Sequence, residues 1–141
     1  MKRCMELQRL SRDHHLALVV AKKVRQLVEN EGSNEEMILL WTEIQKNYKK
    51  DMELHFELEE KILLPAINAA GLETHVERIL FEHQEMRDIL AQDLIDSAGM
   101  QAFSRLLKDH VRFEERELFS AAEELLSESA LKDIQGKLEA A

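Results

Sequence analysis

Apolar residues recur along the chain at alternating spacings of three and four, the period of an α-helix with one buried stripe. Four such stretches can be followed. The first, roughly residues 5 to 30, carries Leu7, Leu10, His14, Ala17, Ala21, Val24 and Val28. The second, roughly residues 34 to 69, runs Ile38, Trp41, Tyr48, Met52, His55, Glu59, Ile62 and Ala66. The third, roughly 73 to 98, runs Val76, Ile79, His83, Met86, Leu90 and Leu94. The fourth, roughly 100 to 126, runs Met100, Phe103, Leu107, His110, Glu114, Leu118, Ala121 and Leu125. Gly32, Gly71 and Gly99 fall between the stretches, where helix C-terminal caps place glycine. Ser33 with Glu36, and Thr74 with Glu77, have capping-box spacing and predict helix starts. Pro65 is expected to bend or end the last turns of the second helix. Beyond Ser127, a short amphipathic piece with Leu131, Ile134 and Leu138 is expected to pack over one end, weakened by Gly136. Connections this short imply antiparallel neighbours. The predicted fold is all-α: one domain, an up-and-down antiparallel four-helix bundle over about residues 5–126 with a short C-terminal helix in 127–141.

Composition agrees with helices, since there is one proline among 141 residues, with 45% hydrophobic and 33% charged side chains. A net charge of −9 argues against a nucleic-acid or anionic-membrane partner. Cys4 stands alone, so no internal disulfide forms and a reducing compartment is expected; no role is assigned to it. The longest apolar run, Leu16 to Ala21, is too short to span a membrane, and the start of the chain has no hydrophobic signal region. A cytoplasmic protein is expected. A second line of Leu16, Val20 and Leu27 on the far face of the first helix is a candidate homodimer contact.

Six polar residues, His14, His55, Glu59, His83, His110 and Glu114, interrupt the apolar seams. His14 rather than its neighbour His15 lies on the stripe, because one residue rotates a helix by about 100°. Measured from Gly71, Glu59 and His83 both lie 12 residues away (71−59 and 83−71), and His55 lies 16 (71−55). From Gly99, His83 lies 16 residues back (99−83), and His110 and Glu114 lie 11 and 15 forward (110−99 and 114−99). Antiparallel packing puts them in one layer. The first hairpin matches less well: His14 and His55 are 18 and 23 residues from Gly32 (32−14 and 55−32), about 7 Å apart in depth at 1.5 Å per residue.

A single inward histidine is commonly a hydrogen-bonded core residue, and a single His-x-x-x-Glu pair is a weak signal. Six converging residues are not explained that way. Carboxylates and imidazoles in an apolar core are costly unless paired, and no lysine or arginine lies on the seams. A cation resolves the conflict. Imidazole with bridging carboxylate suits a pair of transition-metal ions, whereas calcium or magnesium prefers more oxygens and a single tetrahedral zinc needs only four ligands. His15 and His75 lie off the seams and are expected in solvent. Tyr48, one heptad before His55, is a core aromatic or a group supporting the site.

An internal repeat joins two of the pairs. His55-Phe56-Glu57-Leu58-Glu59-Glu60 and His110-Val111-Arg112-Phe113-Glu114-Glu115 align at an offset of 55, which continues through Lys61/Arg116, Leu63/Leu118 and Ala66/Ala121. With Asp13-His14-His15 and Glu82-His83, these motifs resemble the hemerythrin-like, or HHE cation-binding, family. The resemblance covers about residues 5 to 126. It implies a four-helix bundle holding an oxygen-bridged pair of iron ions, with Glu59 and Glu114 as bridges and His14, His55, His83 and His110 as terminal ligands; zinc or manganese are the other candidates. Oxygen-carrying hemerythrins have a second histidine four residues after the helix-three one, where this chain has Arg87. They also have an aspartate where this chain has Glu115, and the seam favours Glu114. The four-His, two-Glu set is similar to that of di-iron proteins that repair iron–sulfur clusters, although their small cysteine-bearing N-terminal domain is not seen here.

The residues three before each seam histidine are Ser11, Met52, Leu80 and Leu107, so no Glu-x-x-His motif is present. No phosphate loop, HExxH motif or nucleophile elbow occurs either. The expected function is a non-haem di-iron protein that binds or responds to oxygen, nitric oxide or iron, its partner a small gaseous or peroxide ligand. An iron reservoir or metal sensor without redox catalysis, and iron–sulfur repair, are the alternatives.

Overall fold

The computed structural model describes residues 3–141, which are helical with no strand among them. A single 3-10 turn at Met5–Leu7 leads into α1, Gln8–Glu29. The next rod, α2, covers residues 34–69 and is assembled from Asn34–Glu43, Lys49–Leu58 and Leu64–Ala69. Its pieces are joined through wider turns at Ile44–Tyr48 and Glu59–Leu63. Rod α3 is Glu73–Leu90. Rod α4, residues 97–125, joins Ser97–Phe113 to Phe119–Leu125 through a third wide turn at Glu114–Leu118. The last rod, α5, is Glu128–Ala140.

Each wide turn is closed by a backbone N–H donating to the carbonyl five residues back: Lys49 to Ile44, Leu64 to Glu59 and Phe119 to Glu114. Each adds one residue to the helical count and so moves the buried stripe by one position. The second and third sit 55 residues apart, as the sequence repeat does. An unbroken count places Ile62, Ala66, Ala121 and Leu125 inward; instead Leu64, Ile67, Phe119 and Ala122 are buried, and Leu125 is exposed. The first wide turn acts the same way in reverse: Met37 is buried and Ile38 is exposed. Pro65 falls just after the Glu59–Leu63 turn and the rod continues past it to Ala69, so the break in hydrogen bonding is spent in the wide turn rather than in ending the helix.

Other expectations are corrected at the helix ends. Ser33 and Glu36 do form a reciprocal capping box. Thr74 and Glu77 do not, because α3 starts at Glu73 with Leu72 as its cap and no side-chain acceptor. Gly99 lies inside the first turn of α4, where its N–H donates to Asp96 Oδ1 at 2.7 Å. The connection before α4 therefore occupies 91–96, α3 ends eight residues earlier than its periodicity predicts (98−90), and Leu94 is exposed. Trp41 anchors that connection, donating Nε1–H to the Gln92 carbonyl at 2.8 Å. Val20 is fully buried, which breaks the proposed far-face line, since Leu16 alone of that trio is exposed.

Two apolar clusters bracket the middle of the rods. One gathers Leu7 and Leu10 from the start of α1, Leu63, Leu64 and Ile67 from the end of α2, and Ile79 from the first half of α3. It also takes Leu118, Phe119 and Ala122 from the end of α4, and Leu131, Ile134 and Leu138 of α5 close it. The other gathers Val20, Ala21 and Val24 of α1, Trp41 and Ile44 of α2, Met86 and Leu90 of α3, and Met100, Phe103 and Leu107 of α4. Fully burying a side chain of this size contributes about 1.5–3 kcal/mol. The six polar seam residues lie between the clusters.

Candidate metal centre

His55 and Glu59 are one turn apart on α2, and His110 and Glu114 one turn apart on α4, so each pair faces the same way, its glutamate being the first residue of a wide turn. His14 from α1 and His83 from α3 complete the group. All six are buried, Glu59, His83 and Glu114 completely. His55 Nε2 lies 3.1 Å and His83 Nε2 3.2 Å from Glu59 Oε1. His14 Nε2 lies 2.7 Å from Glu114 Oε1, and His110 Nε2 3.3 Å from Glu114 Oε2. The potential ligand atoms fall into two sets, each with its members within 4.8 Å of one another: His14, His55, Glu59 and Glu114; and His83, His110, Glu59 and Glu114. Both glutamates belong to both sets. The depth mismatch expected between His14 and His55 does not separate them, for their ring centroids are 4.9 Å apart.

Sequence reasoning missed the layer behind these residues. Nδ1 of His14 is 2.7 Å from Glu115, Nδ1 of His55 is 2.9 Å from Asp13, Nδ1 of His83 is 2.7 Å from Glu60, and Nδ1 of His110 is 2.8 Å from Glu82. An Nδ1–H donated outward fixes each ring so that Nε2 faces the centre, and raises the basicity of that nitrogen. The signal was available, because Asp13, Glu60, Glu82 and Glu115 each directly adjoin a seam residue in the chain. Two phenyl rings stack on the imidazoles: Phe119 on His14 at 5.2 Å and Phe56 on His83 at 4.2 Å between centroids.

Arg87 turns away from the centre. Its Nη1 donates to Glu60 at 2.8 Å and its Nε to Glu53 at 2.9 Å. His15 is exposed as expected, but His75 is half-buried against Phe113, 5.4 Å between centroids. Tyr48 is half-buried with its hydroxyl accepting from Lys23 Nζ at 3.4 Å, outside the cluster.

The electrostatics follow from burial set against pairing. Burial pushes the Glu114 carboxyl up, but the charge of His110, the hydrogen bond to His14 and the nearness of His55 outweigh it and hold the group well below the usual carboxylate range. Burial likewise opposes a charge on His110, yet Glu114 and Glu82 raise it to about 10. His14 and His55 are raised for the same reason, with Glu114 and Glu115 acting on the first and Glu59 and Asp13 on the second. Even so, His55 Nε2, both oxygens of Glu59, His83 Nε2, His110 Nε2 and Glu114 Oε2 are buried without a hydrogen-bond partner. Buried polar atoms of this kind are normally satisfied. Imidazole and carboxylate atoms converging unsatisfied on one place are the donor set that transition-metal cations bind, so the residues fit the group that the resemblance implies.

The chain matches the model of the hemerythrin HHE cation-binding domain over residues 5–122. It belongs to that family, as its fold and motifs anticipated. No curated protein matches the chain significantly, and no solved structure does.

Proposed function

We propose that the chain is one hemerythrin-like domain, an up-and-down antiparallel four-helix bundle holding two iron ions, which binds or responds to a small neutral ligand such as oxygen or nitric oxide. Starts and ends of successive rods alternate within each apolar cluster, which supports the antiparallel order. The observation that carries the metal reading is the pair of four-residue sets sharing Glu59 and Glu114. Two carboxylates common to both sets suit bridging roles, and two imidazoles remain for each ion: His14 and His55 for one, His83 and His110 for the other. Iron bound there would supply a redox-active Lewis acid able to act on a small ligand.

A cavity of about 50 Å³ beside the centre supports the choice of ligand. It borders His14, His55 and His110 and is otherwise lined mainly by apolar side chains, among them Ala17, Met52, Leu107 and Val111. That volume accommodates roughly one to a few water-sized molecules. So small and apolar a space favours a neutral diatomic over a charged or bulky substrate. No helix among the described residues is long and apolar enough to cross a membrane.

Metal content per chain, with an optical spectrum, tests this on untagged protein from iron-supplemented cells. About two irons per chain with near-ultraviolet absorption from an oxygen-bridged ferric pair is the expected result. Negligible metal after anaerobic ferrous reconstitution would overturn it.

A further inference from the structure

The two ligand sets are held unequally from behind. Glu60, which orients His83, accepts from Arg87 Nη1 at 2.8 Å, and Arg87 is itself fixed by Glu53. Glu82, which orients His110, accepts from Arg78 Nε at 3.2 Å, and the Arg78 guanidinium lies 3.7 Å from the Phe113 ring centroid. These two carboxylate side chains are 24% and 13% exposed. Across the centre one of the two outer carboxylates is weakly held, and it is Asp13 rather than Glu115. Glu115, which orients His14, is 29% exposed, accepts from Ser11 Oγ at 3.0 Å and has Arg3 Nε at 3.8 Å. Asp13, which orients His55, is 43% exposed, and among the described residues it has no basic partner and no hydrogen-bond donor other than His55.

The 50 Å³ cavity lies at this same weakly held corner, bordered by Asp13, His14, His55, Ala17 and Met52. His110 borders it as well, but from the side that Arg78 supports. A bound ion leaves by releasing its ligands one at a time, and a ligand swings off only where it has room and a loose rear anchor. In a close-packed interior such room is scarce. Removing the outer partner of a ligand typically weakens a metal site 10–100-fold, so a partner with one anchor should hold less well than one with several.

We infer that the two metal positions differ in lability. The position served by His83 and His110 retains its ion, the position served by His14 and His55 exchanges it, and the Asp13–His55 corner is the point of release. Asp13 and Arg87 are positioning residues acting through His55 and His83. The inference rests on the two-ion reading above.

Anaerobic ferrous loading followed by excess colorimetric chelator tests it, with release followed in time. Wild-type protein should lose its two ions in two phases of similar amplitude, separated by at least about tenfold in rate. Asp13→Asn should speed the fast phase alone, and Arg87→Gln the slow phase alone. Ala17→Met, which fills the cavity without touching the outer carboxylates, should slow the fast phase and keeps the test decisive if either charge variant fails to fold. Two ions lost in a single phase, or either charge variant moving both phases together, would overturn the inference while leaving the two-ion reading intact. Uptake of one ion or none would overturn the reading itself.

Discussion

The Glu115 carboxylate of α4 stands 2.7 Å from Nδ1 of His14 on α1, tying the last site-bearing rod back to the first. It closes a ring. Asp13 of α1 reaches His55 of α2, Glu60 of α2 reaches His83 of α3, and Glu82 of α3 reaches His110 of α4. Each rod thus orients the histidine of the next, and the same four bonds that aim the imidazoles also set which rods are neighbours.

Breaking one link should therefore damage the centre more than the fold. Glu82→Ala removes the acceptor for His110 Nδ1–H, and its metal affinity should fall about 10–100-fold with helical content unchanged. Isothermal titration with ferrous or cobaltous ion, beside circular dichroism, measures both. Unchanged affinity would show that the outer carboxylate does not position the ring.

The two inner glutamates should separate in the metal-free protein. Both Glu59 oxygens lack a hydrogen-bond partner, whereas Glu114 Oε1 is bonded to His14 Nε2 at 2.7 Å. Neutralising Glu59 removes the charge that raises His55 but breaks no hydrogen bond, while neutralising Glu114 removes a charge and also the bond to His14. Apo Glu114→Gln should lose about 1–3 kcal/mol, and apo Glu59→Gln should lose less. Both should bind less metal. Equal destabilisation of the two in urea melts would contradict the assignment.

Acidity should move the apo and loaded proteins in opposite directions. His110 is raised from an ordinary value of 6.5 to about 10 in the folded chain, so the stability it contributes is complete below 6.5 and is lost as pH rises toward 10. Glu114 is lowered from 4.5, so its contribution is present above 4.5 and is lost as pH falls through its depressed folded value. Apo-protein should be most stable between about 4.5 and 6.5 and should melt lower at pH 9. Metal needs neutral imidazoles, so binding should instead strengthen over that rise. Melting temperatures with and without iron at pH 6 and 9 decide the matter, and parallel shifts would refute it.

Two glycines should respond oppositely to alanine. Gly71 has φ +94° in the turn after α2, a conformation that costs a Cβ-bearing residue about 1–2 kcal/mol. Gly136 lies inside α5, and a Cβ there meets nothing within 4 Å. Gly71→Ala should lower the melting temperature by roughly 3–6 °C, at about 3 °C per kcal/mol for a chain of this size. Gly136→Ala should raise it by roughly 2–3 °C. A common sign in thermal melts would mean that one of the two backbones is misplaced.

His14, His55, Glu59, His83, His110 and Glu114 were readable because a polar residue on an apolar seam violates the 3.6 period, and a local pattern suffices to find it. Leu64, Ile67, Phe119 and Ala122 were not readable as the buried positions, since one added residue per wide turn is invisible to a count that assumes constant pitch. The capping box at Ser33 was local and held. The one at Thr74 failed because the turn at Gly71 already started the helix two residues earlier.

The run of helices and the six inward residues follow from periodicity and motif spacing within single helices, and the family from the motifs those residues form. Which carboxylate backs which histidine, where the arginines stop and where the cavity lies were settled when the rods packed. Those are contacts between rods, made across 23 to 101 residues of chain, and their pairing depends on the packing of all four rods at once. No spacing along one helix records it.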